Sequence, residues 1–113
     1  MPFEPPLTAL HDILEYIVYA EEFVAGFDLP AFQNDRRTLF AVIRCLEVIS
    51  EASRRLPAEL KARHPSINWQ RIAGAGNVYR HDYDDLSPRT IWQTVTLALP
   101  PLRAVVEQEL SSF

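Results

Sequence analysis

The hydrophobic positions of this 113-residue chain recur every three or four residues almost from end to end. No stretch shows the convincing period-two alternation of a half-buried strand. Leu10, Ile13, Leu14, Ile17, Ala20 and Val24 form one apolar stripe. It predicts a helix from about Thr8 to Gly26, with Thr8 capping the first free amides. GFDLPAF carries Gly26 and Pro30 and reads as a loop. A second helix is expected from about Asn34 to Leu56, with Leu39, Val42, Ile43, Leu46 and Ile49 inward. Its polar side carries Arg36, Arg37, Glu51, Arg54 and Arg55. Pro57 suits the first turn of a short third helix, PAELKARH, which Pro65 stops. Asn68 caps a fourth helix over roughly Trp69 to Tyr79, which contains Gly74 and Gly76. Ser87-Pro88 opens a fifth that runs toward Leu110. Pro100 within it cannot donate to the Thr96 carbonyl, so a kink or break is expected there. The fold class is all-α, an up-and-down bundle of four to five helices with short connections.

Composition narrows this picture without changing it. The length suits one domain over residues 1–113, with its core at about 7–110. A hydrophobic content of 48 % supports a packed globule rather than disorder. The single cysteine, Cys45, cannot form an intramolecular disulfide, which fits a reducing compartment. It lies in the apolar run AVIRCLEVIS and reads as a small core residue rather than a nucleophile. No apolar run approaches the roughly 18–20 residues that span a bilayer. MPFEPPL has neither the basic region nor the apolar core of a secretory signal. A cytoplasmic location without membrane partners is the expectation. The net charge of −4 offers nucleic acid no global attraction, so an RNA-directed role requires a local basic patch.

Polar chemistry concentrates in NVYRHDYDD, Asn77 to Asp85, at the junction of the fourth and fifth helices. An active site, a metal site and a charged turn all fit such a run. A metal is the poorest fit, because His81 and the aspartates lack a defined ligand spacing and His64 is distant in sequence. Trp69 and Trp92 read as core or interface anchors. Arg44 lies among apolar neighbours and either snorkels to the surface or faces a cleft between subunits.

The ordered set of pieces from VIRCLEVISEA through the Leu-Pro turn, P-x-I-x-W, IAG and H-x-Y to the later W-x-x-V resembles the HepT-like branch of the HEPN superfamily. The likeness covers about residues 7 to 110. It implies a helical bundle that dimerises, with the H-x-Y ends of two subunits facing each other across a cleft. It also implies a metal-independent ribonuclease toxin without cofactors, acting on RNA. The expected partner is a small nucleotidyltransferase antitoxin, which in some pairs adds AMP to the motif tyrosine. The family motif is an arginine, four to six residues, then His-x-Tyr. His81-Asp82-Tyr83 supplies the second half. The family's Arg-Asn five and four residues earlier is Gly76-Asn77 here.

Metal-free cleavage of RNA needs a base for the ribose 2′-hydroxyl, an acid for the leaving oxygen and positive charge for the phosphate. A histidine titrating near neutrality serves as acid or base, which is the role implied for His81. Arginine offers phosphate a fixed fork. Arg80 stands one helical turn after Gly76, and helical side chains lean toward the N-terminus. Arg80 is therefore the candidate substitute for the missing arginine, with Arg71 the second choice. The alternative for Arg80 is a helix-end residue paired with Asp82 or Asp84. Tyr83 is the candidate RNA contact or AMP acceptor. Asn77, Asp82 and Glu51 are secondary candidates, Asp82 to orient His81 and Glu51 to hold Arg71 or Arg80. Glu51 reads equally as half of a surface ion pair. With Gly76 in place of arginine, a second reading is a binding module that partners a nucleotidyltransferase or binds nucleotide without cutting RNA. A helical dimer with a purely structural role is the third.

Overall fold

The computed structural model describes residues 5–74 and 87–113, with the Pro5 side chain left aside. Among them there is helix and turn but no strand, as the periodicity predicts. The helices are α1 (Pro5–Val24), α2 (Leu29–Gln33), α3 (Arg36–Arg54), α4 (Ala58–Ala62), α5 (residues 69–74), α6 (Pro88–Gln93) and α7 (Leu99–Leu110), with a π-turn at Thr94–Ala98 between the last two.

The α1 stripe enters the core as its spacing requires, with Leu10, Ile13, Ile17 and Ala20 fully buried. Leu14 and Val24 pack at its margin. Thr8 is not the cap, because the helix already includes Pro5 and Thr8 lies inside it. Gly26 has φ +82°, the left-handed conformation that turns the chain after the helix at no steric cost to glycine.

GFDLPAF is more than a loop. Asp28 caps α2 by accepting from the Ala31 N–H at 2.9 Å, and Pro30 occupies its first turn. This short helix drives Phe32 into the core, against Trp92 at 5.3 Å between ring centroids. Asn34 ends α2, and Asp35, not Asn34, caps α3 by accepting from the Thr38 N–H at 3.0 Å. On α3 the buried residues are Val42, Cys45, Leu46, Ile49, Ser50, Ala52 and Ser53. Pro57 stands just before α4 in extended backbone rather than within its first turn.

Helices α1 and α3 pack along their length and α7 joins α1 on the other side. Ion pairs mark the registers. Asp12, early on α1, meets Arg55 just past the end of α3 at 3.0 Å, so the two helices are antiparallel. Glu21, late on α1, meets Arg103 on α7. The far end of α7 is held at Glu109, which is 8 % exposed. Its carboxylate accepts from Arg63 at 2.9 and 3.2 Å and lies 2.6 Å from His64 Nε2. The Arg63 guanidinium, then burial acting against it, then His64 set the balance that holds the Glu109 carboxyl below its ordinary range.

The proline pair acts as a change of helix type rather than a break. Leu99 donates to the Thr94 carbonyl, five residues back. Pro100 and Pro101 have no N–H, so neither the i+4 nor the i+5 donor to Thr96 exists. The Thr94 and Thr96 hydroxyls bond back to the Thr90 and Trp92 carbonyls at 3.0 and 2.9 Å. Val95 within the turn and Leu99 just past it stay buried.

Candidate functional site

The segment that carries most of the chemistry follows α5 in the sequence, and α5 and α6 are the described helices that flank it. Asn68 caps α5 as expected, its Oδ1 accepting from the Arg71 N–H at 3.0 Å. Trp69 anchors the first turn, its indole N–H shared between the Lys61 and His64 carbonyls at 3.1 Å each. Because His64 also meets Glu109, the α4–α5 connection is tied at once to α5 and to the end of α7.

The other end of the described α5 is gripped from α3. Ser50 Oγ and Arg54 Nη2 each donate to the Ala73 carbonyl at 2.7 Å. Residues 50 and 54 are four apart, so they share one face of α3 and converge on one acceptor. Arg54 Nη1 also faces Glu51 at 3.4 Å. Ser50 is 2 % exposed, and a buried hydroxyl must be hydrogen-bonded to be tolerated. These donors hold a carbonyl three residues before Gly76 and eight before His81.

Gly76, Asn77, Arg80, His81, Asp82 and Tyr83 lie outside the described residues, as do Asp84 and Asp85. Of the remaining candidates, Glu51 pairs with Arg54, not with Arg71. It lines a shallow groove of about 380 Å³ with Arg44, Glu47, Val48 and Arg55. Arg44 is 73 % exposed and pairs with Glu47 at 3.5 Å, so it reaches for solvent and its own helix. Arg71 is elsewhere, in a crevice with Leu46, Ile49, Ile72 and Leu99. The structure thus separates Glu51 from Arg71. It brings Ser50 and Arg54 together on the Ala73 carbonyl, whereas the sequence marks Arg54 only as part of a polar helix face and does not single out Ser50. A serine inside the apolar stripe of α3 was the available signal.

Cys45 is buried, as expected, and desolvation pushes its thiol up to about 11. At neutral pH it is a protonated core residue without nucleophilic character.

A bundle of helices in this order, followed after α5 by His-x-Tyr, has the make-up of a HEPN-type domain. The chain belongs to the HepT-like ribonuclease family, whose profile, described as ribonuclease HepT-like, matches residues 13–109. It is 38 % identical over 99 residues to a Thermococcus cleftensis protein named "Probable ribonuclease HepT", covering 88 % of this chain and 90 % of the relative. Two Methanocaldococcus jannaschii proteins named as candidate RNases, MJ1216 and MJ0125, are 31 % and 32 % identical over 108 residues each. Those alignments cover 96 % of this chain and 89 % and 93 % of the relatives. No solved structure matches the chain at a significant level.

Proposed function

We propose that the protein is a metal-independent endoribonuclease that acts on RNA as a homodimer. In this reading it is the toxin of a pair whose antitoxin is a nucleotidyltransferase. The observation that carries the reading is the family membership over residues 13–109, with ribonuclease names on the relatives. His81 acts as general acid or base, moving a proton at the 2′-hydroxyl or the leaving oxygen. Arg80, and after it Arg71, supplies the positive charge that Gly76 does not. Asn77 and Asp82 orient the histidine, and Glu51 acts through Arg54. The antitoxin silences the enzyme by placing AMP on the Tyr83 phenol oxygen. The double grip on the Ala73 carbonyl fits this reading, because acid–base chemistry needs its segment held to a fixed frame. The protein works in the cytoplasm, where its RNA substrate is.

The test is growth on induced expression. Wild type should arrest the host, and His81→Ala should relieve the arrest. The purified protein should cut RNA in excess chelator, and His81→Ala should lose about 10²–10⁴-fold in rate. The glycine at position 76 favours one other reading, a module that binds RNA or nucleotide without cleaving it. Wild-type protein that binds RNA yet neither cuts it nor arrests growth would establish that reading instead.

A further inference from the structure

Beyond the grip on α5, the described residues hold a groove around Arg71, which the proposed chemistry uses only as second choice after Arg80. It lies between the start of α5 and the π-turn, has a volume of about 180 Å³, and is lined by Ile67, Asn68, Arg71, Leu97, Ala98 and Pro101 among others. Arg71 is the single charged residue of this lining, and no carboxylate is present in it. That is notable in a chain of net charge −4. Arg71 makes no ion pair among the described residues, as Arg36, Arg37 and Arg89 make none, whereas Arg44, Arg54, Arg55, Arg63 and Arg103 do. Leu97 is 70 % exposed, beside buried Val95 and Leu99. The proline pair denies the Thr96 carbonyl, one residue before Leu97, any main-chain donor four or five residues on. A cation without an ion pair among the described residues and an exposed aliphatic side chain therefore meet within one small groove. π-turns of this kind recur at functional sites.

We propose that this groove is a nucleotide subsite for single-stranded RNA. Arg71 takes a backbone phosphate, and one unstacked base lies against Leu97 and Pro101. The groove is smaller than the roughly 300–1,000 Å³ of a pocket for a whole small ligand, so it seats one base rather than an oligonucleotide. A duplex keeps its bases stacked and cannot enter, and single strands are where proteins reach RNA bases. The subsite includes Arg71 on α5, ten residues before His81 in the sequence. The proposal rests on the ribonuclease reading for the identity of its ligand, but binding is measurable without cleavage.

The experiment uses full-length protein carrying His81→Ala and a fluorescent single-stranded oligoribonucleotide, read by anisotropy over a range of salt. Arg71→Ala and Leu97→Ser should each weaken binding roughly tenfold, while Arg37→Ala, at an exposed arginine outside the groove lining, should not. Arg71→Ala should also flatten the slope of log affinity against log salt by about 0.7, as the loss of one phosphate contact requires, and Leu97→Ser should leave that slope alone. Both variants should keep the wild-type circular dichroism. Equal binding by wild type and both variants, or no binding by any, overturns the subsite. A dimer that Leu97→Ser splits in sedimentation, with RNA binding intact, assigns the groove to self-association and also overturns it. Groove-dependent binding in a wild type that never cuts RNA keeps the subsite and removes the ribonuclease reading.

Discussion

Arg54 on α3 donates to the main-chain carbonyl of Ala73 on α5 at 2.7 Å, with Ser50 as its equal on the same oxygen. This contact spans 19 residues of sequence and fixes the last described turn before the polar segment. Removing either donor should loosen that turn. Ser50→Ala is expected to cost about 0.5–1.5 kcal/mol in denaturant unfolding. Arg54→Ala should lower RNA cleavage by about tenfold or more, because small displacements of acid–base groups are costly. Arg54→Lys should recover little, since an ammonium cannot reach Ala73 and Glu51 with the same planar fork. Cleavage rates equal to wild type in Arg54→Ala would remove this residue from the positioning of the site.

Glu109 makes stability depend on acid. Its carboxyl is held below the ordinary glutamate range, chiefly by Arg63, so the folded protein keeps it ionised where the unfolded chain would protonate it. That contribution is complete above the usual value near ~4.3 and fades as pH falls through the lower folded value. Glu109→Gln should therefore be less stable at neutral pH, and its stability should fall less steeply on acidification. Thermal melts at a series of pH values would show two curves converging at low pH. Parallel curves would mean that Glu109 does not carry the acid dependence.

Cys45 should be inert while the chain is folded. With its thiol near 11, the thiolate fraction at pH 8 is on the order of 10⁻³, against about a quarter for a thiol of ordinary pKa. Alkylation at pH 8 should proceed at least a hundredfold more slowly than in denaturant. The sign also implies that folding loses a little support as pH rises above the ordinary thiol range near ~8.5. Rapid labelling of native protein would place Cys45 in contact with solvent.

Phe32 tests the short α2. Its side chain is fully buried and meets Trp92. Phe32→Ala should cost about 3–5 kcal/mol, a large share of the roughly 5–15 kcal/mol that stabilises a domain of this kind. Trp92 emission should report the change.

The long helices were legible because a buried stripe must repeat at the helical period, and Ile13, Ile17, Val42, Leu46 and Ile49 all enter the core where that period puts them. The short α2 was hidden by Gly26 and Pro30, which mark loops more often than first turns. Asp28 two residues before Pro30 held the opposite signal. Glu109 reads as a surface position in a charged helix end. Only the approach of Arg63, 46 residues away, makes it a buried partner. The family pattern picked out His81 and Tyr83, and it could not have picked out Ser50 and Arg54. Their role depends on which carbonyl a distant helix presents to them.

The π-turn at Thr94–Ala98 sets the phase of everything after it. A turn closed five residues back accommodates one more residue than an α-turn does. Winding the same residues as α-helix would instead rotate α7 by roughly 100° and push it on by about 1.5 Å. Arg103 would swing away from Glu21, and Glu109 from His64, while Leu102 and Val106 would leave the core. The turn is thus a one-residue spacer that keeps two distant ion pairs and one apolar stripe in step. In relatives, a single-residue loss here should come with a return to α-geometry, and insertions should be rare.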